Sequence, residues 1–144
     1  MTDVPGRVSF VTLAVGDLPR MAAFYRQFGW PESETNDEHH VAFQTGGAVL
    51  GLFGAEHYEP DLGPPPAGDA FKGFTLAINV EGREEVDRAW EAMQAVEGAR
   101  LDDPPRDLSF GGRGFTFFDP EGNLWDVIWT DGTSFDERGG LIFP

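Results

Sequence analysis

Residues 117–129 read FFDPEGNLWDVIW. Asp119-Pro120-Glu121-Gly122 fits a type I turn, with Asp first, Pro second and Gly fourth. A strand follows, in which Leu124, Asp126 and Ile128 share one face and Trp125, Val127 and Trp129 the other. The tryptophans suit a core beneath a helix. Asp126 is the anomaly, because an ionised carboxylate taken out of water is costly unless it is paired or still wet. It either sits on a solvated face or lines a place where something binds.

Upstream, the chain uses the same pattern twice. Gly6 to Val15 is rich in β-formers and reads as a strand. Asp17 suits a helix N-cap, with Pro19 in the first turn. Leu18, Met21, Ala22, Tyr25 and Phe28 recur at helical spacing, and Gly29 closes the helix. Strands are expected at Trp30 to Thr35, His40 to Thr45 and Ala48 to Phe53, with Gly46-Gly47 as a tight hairpin turn. A proline- and glycine-rich stretch, residues 54–73, reads as a linker or flap.

The order then repeats. Phe74 to Val80 reads as a strand and Glu84 to Glu97 as a helix, with Val86, Ala89, Trp90, Met93 and Val96 on one face. Further strands fall near Ala99 to Leu101, Gly114 to Phe118 and Leu124 to Thr130. Laid over each other, the halves put Leu13 on Ile78, Val15 on Val80 and Tyr25 on Trp90. Gly47, Leu50 and Leu52 likewise meet Gly122, Trp125 and Val127, once residues 102–114 are taken as an insertion. A βαβββ unit used twice is the economical reading.

The 144 residues suit one compact domain, and the absence of cysteine excludes disulfides and thiolate metal sites. With 25 acids against 10 Lys plus Arg, net charge is −15, which argues against nucleic acid and against a membrane surface as partners. The opening, MTDVPGRVSF, lacks the basic and apolar regions of a secretory signal, so a cytoplasmic protein is expected.

VSFVTLAVGDLPRMAAFYRQFGW, GFTLAINV with its following helix, and FFDPEGNLWDVIW together resemble the vicinal oxygen chelate superfamily. That group includes glyoxalase I, extradiol dioxygenases, and fosfomycin and bleomycin resistance proteins. The resemblance runs from about Val8 to Asp131. It implies an α+β fold of two βαβββ modules, whose curved mixed sheets surround a cavity and carry helices on their convex sides. Module one would span about residues 7–54, the linker 55–73, module two about 74–131, and a C-terminal tail 132–144. The resemblance also implies a homodimer.

Metal-dependent members place His, Gln or Glu at up to four equivalent points on the first and last strands of the modules. Carried over, those points fall on Phe10, Gly51, Thr75 and Asp126. A phenyl ring and a glycine supply no donor, a threonine hydroxyl is a weak one, and a single carboxylate does not hold zinc or manganese. No metal and no other cofactor is therefore expected. Glu38-His39-His40 looks metal-like, yet adjacent strand side chains point to opposite faces, so a surface or loop role is expected for His39, His40 and His57.

Strand alternation and the resemblance together predict a cavity wall of Phe10, Thr12, Gly51, Phe53, Thr75, Asn79, Asp126 and Ile128. The leading expectation is a metal-independent small-molecule binding protein without chemistry of its own. Its ligand would be cationic or aromatic, with Asp126 as counter-charge and Phe10 and Phe53 as stacking surfaces. The alternatives are a metal-dependent glyoxalase- or dioxygenase-type enzyme, and an interaction module with a vestigial cavity. In the plainest alternative, Asp126 is hydrogen-bonded to Thr75 or Asn79 and the cavity is filled.

Overall fold

The computed structural model describes residues 6–57 and 72–144. Strand β1 (Phe10–Val15) leads through helix α1 (Leu18–Arg26) to β2 (His40–Gln44) and β3 (Val49–Gly54). Beyond the linker come β4 (Leu76–Asn79), helix α2 (Arg83–Met93), β5 (Arg100–Leu101), β6 (Arg106–Leu108), β7 (Gly112–Phe118) and β8 (Leu124–Thr130). A short hairpin, β9 (Ser134–Phe135) and β10 (Leu141–Ile142), ends the described chain.

The first sheet runs β1-β3-β2 and the second β4-β8-β7-β5, with β6 alongside β7. In each module the first strand is parallel to the last, and the last is antiparallel to its predecessor. The registers also agree: Thr12 faces Gly51 in module one, and Ala77 faces Asp126 in module two. That match is what a duplicated unit produces, and it fixes Gly51 and Asp126 as equivalent positions.

Helix α1 begins where Asp17 Oδ1 accepts the Arg20 N–H at 3.1 Å, a side-chain cap for an otherwise orphaned donor. It buries Leu18, Met21, Ala22, Phe24 and Tyr25, whereas α2 buries only Val86 and Met93. One core spans both modules and includes Leu13, Val15, Phe43, Leu52, Phe117, Trp125 and Val127. The seam between the modules is aromatic. Tyr25 and Trp30 each lie about 6 Å from Trp125, and Phe117 stacks on Trp125 at 5.9 Å. Trp125 is buried as expected, while Trp129 is half-buried with the Arg83 guanidinium 5.5 Å above its ring.

The DPEGN turn ties this seam together. Tyr25 donates its hydroxyl proton to Asp119 at 2.6 Å and accepts the Trp125 indole N–H at 3.0 Å. Asp119, 3% exposed, also accepts from the Glu121 and Asn123 backbone N–H groups and from the Asn123 amide. Burial first, and the Asp119 carboxylate second, push the Tyr25 phenol well above its ordinary value near 10. Glu121 reaches back to module one, accepting the N–H groups of Gly16 at 2.8 Å and Asp17 at 3.0 Å.

Several expected boundaries shift. β1 starts at Phe10 rather than Gly6, β4 at Leu76 rather than Phe74, and α2 ends at Met93 because residues 94–97 turn toward Gly98, whose φ is +89°. Trp30 to Thr35 makes only an isolated bridge, Glu32 to Phe43: the Ser33 N–H donates to the Ala42 carbonyl, but the Ala42 N–H donates to the Asn36 side-chain oxygen instead of to a strand partner. Residues 102–114 do not form a plain insertion, because Arg106–Leu108 pairs with β7 as β6. Gln44 faces Val49, so Thr45 to Ala48 form a four-residue loop instead of a two-residue turn. Gly46 is needed for another reason, as a Cβ there would fall 2.8 Å from the Arg138 carbonyl oxygen. The C-terminal hairpin thus packs directly on this loop. Of the expected flap, residues 55–57 are helical and 58–71 lie outside the described residues.

Candidate functional site

The eight cavity residues expected from the sequence fall into separate places. Asp126 and Ile128 line a pocket of about 150 Å³ on the face of the second sheet opposite the core. Thr116 and Gly114 of β7 form its floor, Arg106 and Leu108 of β6 one side, and Asp103 and Pro104 the rim. Asp126 is half-buried, and its carboxylate makes no hydrogen bond or ion pair among the described residues. The bonds to Thr75 or Asn79 that would have neutralised its interest are not formed. Thr75 is exposed, and Asn79 lines a different cavity of about 960 Å³ beneath the C-terminal hairpin. That cavity also takes in Gln44, Val49, Trp125 and Leu141.

Phe10, Gly51 and Phe53 gather on the corresponding face of module one, where Thr12 is exposed between them on β1. The Phe10 ring crosses over Gly51 so closely that a Cβ there would meet its Cε1 at 2.5 Å. His40 stacks on Phe10 at 6.1 Å and leans on Phe53 at 5.5 Å, so it belongs to this aromatic group rather than to a loop. Asp37 holds the strand entry by accepting the His39 and His40 N–H groups at 2.8 and 2.9 Å. Those bonds keep its carboxyl below the usual range. His39 turns away toward His57, ring to ring at 4.0 Å.

A metal does not fit these residues. Three of the four family ligand points carry Phe10, Gly51 and Thr75, which offer a phenyl ring, no side chain and a weak hydroxyl donor. Among the described residues, no three His, Asp or Glu side chains come together as ligands.

Sequence reasoning missed Arg106, Gly114 and Thr116. β6 is only three residues long, too short for alternation to register, and its segment read as an insertion. Gly114 had a signal available: a Cβ there would meet the Val127 carbonyl oxygen at 2.8 Å, which explains glycine inside a strand.

The fold and this face define the class. A profile of the Glyoxalase/Bleomycin resistance protein/Dioxygenase superfamily matches residues 7–127, and the chain belongs to that superfamily. A glyoxalase-related enzyme from Fulvimarina pelagi is similar over 96% of this chain and 99% of its own, with a TM-score of 0.82 and 26% identity. A glyoxalase/bleomycin resistance protein/dioxygenase family enzyme from Burkholderia phytofirmans covers 87% of this chain and 99% of its own, at a TM-score of 0.75 and 26% identity. A lactoylglutathione lyase from Agrobacterium tumefaciens shares the fold at a TM-score of 0.68 and 24% identity, over 88% of this chain and 95% of its own. None of the curated proteins compared with the chain matches it. No helix among the described residues is long and apolar enough to cross a membrane.

Proposed function

We propose that this chain is a metal-independent small-molecule binding protein, with its ligand held against the second sheet by Asp126. The observation that carries the reading is a half-buried, unpartnered carboxylate in a pocket of about 150 Å³. A pocket of that size holds a ligand portion of about benzene's volume. Its lining mixes apolar Leu108, Phe115, Val127 and Ile128 with polar Asp103, Arg106, Thr116 and Asp126, so it offers a ligand both contact surface and orienting groups. The aromatic group of Phe10, His40 and Phe53 supports the same reading, because it covers Gly51, one of the points where metal-dependent relatives place ligands. A cytoplasmic location and a homodimer belong to it as well. The exposed Val8, Phe110, Ile142 and Phe143 are surfaces that a second copy would cover.

The metal-dependent lyase or dioxygenase reading has a shared fold in its favour and the donor set against it. Calorimetric titration separates the two: nickel, zinc, manganese and ferrous iron are expected to give no stoichiometric tight binding, and such binding would defeat the proposal. Benzylammonium is then the trial ligand. It is expected to raise the Tm of the wild type more than that of Asp126→Asn, and equal shifts would remove Asp126 from the site.

A further inference from the structure

From the pocket wall facing Asp126 we infer that the ligand is a zwitterion, carrying an anionic group for Arg106 as well as a cationic group for Asp126. The inference rests on the proposed function and narrows its ligand class. Three features of the pocket support it.

The first is the row structure of the sheet. Arg106 faces Gly114, and Gly114 faces Ile128, so the three form one row across β6, β7 and β8. Thr116 and Asp126 form the adjacent row. Because strand side chains alternate, Arg106, Gly114, Ile128, Thr116 and Asp126 share one face. Arg113 and Asp107 point to the other, where Arg113 pairs with Asp87 at 2.7 Å. The middle of the row is a glycine, so nothing stands between Arg106 and the β8 side of the pocket.

The second is charge. Acids outnumber Lys plus Arg by 25 to 10 in the chain, and Arg26, Arg83, Arg88 and Arg113 each pair with one. Arg106 makes no ion pair or side-chain hydrogen bond among the described residues, although Asp126 and Asp103 line the same pocket. Two opposite charges held on the two sides of one pocket without touching fit a molecule that bridges them. An arginine also offers the paired donors that a carboxylate takes best. Thr116, between them, both donates and accepts hydrogen bonds.

The third is spacing. Two strand separations across and two residues along put the Cα atoms of Arg106 and Asp126 roughly 12 Å apart, with side chains standing nearly perpendicular to the sheet. Allowing about 3–4 Å between charge centres at each end leaves roughly 5 Å between the ligand's own charges. An ω-amino acid with three methylenes, 4-aminobutyrate, spans about that distance.

The experiment is an NMR titration of the full chain with 4-aminobutyrate, butylammonium and butyrate, following the amides of Gly114, Thr116 and Asp126. The zwitterion is expected to bind at least about tenfold more tightly than either half-molecule. Arg106→Gln is expected to bring its affinity down to that of butylammonium, and Asp126→Asn down to that of butyrate. Arg106→Lys should recover part of the loss, since it keeps the charge without the fork. Butylammonium binding as tightly as 4-aminobutyrate would overturn the zwitterion while leaving Asp126 as a cation site. An absence of amide shifts with all three probes would overturn the zwitterion and count against the pocket itself. Shifts that persist unchanged in Arg106→Gln would remove the arginine from the recognition.

Discussion

The two modules share a connectivity and a register, yet their outer faces have gone opposite ways. In module one the equivalent point on the last strand is Gly51, and the rings of Phe10, His40 and Phe53 fill the surface above it. In module two the equivalent point is Asp126, and the surface is hollowed by Gly114. One face is covered by stacked rings, and the other carries a lone carboxylate with room beside it. A duplicated scaffold therefore separates what must stay common, the hydrogen-bonded ladder and shared core, from what is free to diverge. The helices differ in the same sense. α1 is sunk into the seam, while α2 lies over its own sheet with most of its surface wet.

The sharpest way to break this comparison is at the seam. Trp125→Ala removes the ring on which Tyr25, Trp30 and Phe117 converge, and it is expected to cost about 3–5 kcal/mol in urea unfolding. Both modules should unfold in a single transition. Separate transitions would show that the two units are only loosely joined.

Tyr25→Phe comes next, at about 1.5–3 kcal/mol, because a hydrogen bond to a carboxylate is lost and the Trp125 N–H is left without its acceptor. This variant also has a pH signature. The folded Tyr25 phenol holds its proton above the pH at which an unfolded tyrosine, with a pKa of about 10, releases it. Above about pH 10 the unfolded state therefore binds fewer protons, and stability falls as pH rises. Below that pH the contribution is fully present. The difference between wild type and Tyr25→Phe should shrink in alkaline urea melts, and a constant difference would disprove the linkage.

The smallest effects test the two faces. Gly114→Ala is expected to cost about 1–2 kcal/mol, since its Cβ meets a backbone carbonyl that has little room to move. Gly51→Ala should cost under about 1 kcal/mol, because the atom in its way is the far edge of Phe10, 48% exposed and able to swing aside. Equal costs would mean that module one's aromatic group is as rigid as module two's floor.

Much of this was legible in the residues. The turn at Asp119, the alternation after it and the repeat of strand and helix carried the fold, because each is a local pattern with a local cause. Asp126 stood out as an acid inside an apolar strand. What the pattern did not hold was the grouping of the cavity residues. Alternation assigns a face to each side chain, but sheet curvature decides which of those side chains meet. So Asn79 went to the cavity beneath the tail and Asp126 to another. Arg106 was hidden because β6 is too short to have a period, and the four-residue loop at Gly46 was set by a tail far away in sequence.

The Glu121 carboxylate that grips the Gly16 and Asp17 amides spans 105 and 104 positions of sequence. During synthesis on a ribosome, the two residues that lead into α1 must wait for almost the whole chain before their N–H groups meet that carboxylate. Module one emerging alone would be an open half-structure with its seam of aromatic rings wet. Two fragments cut between positions 57 and 72 should therefore reassemble into one molecule when mixed, rather than stand as independent units.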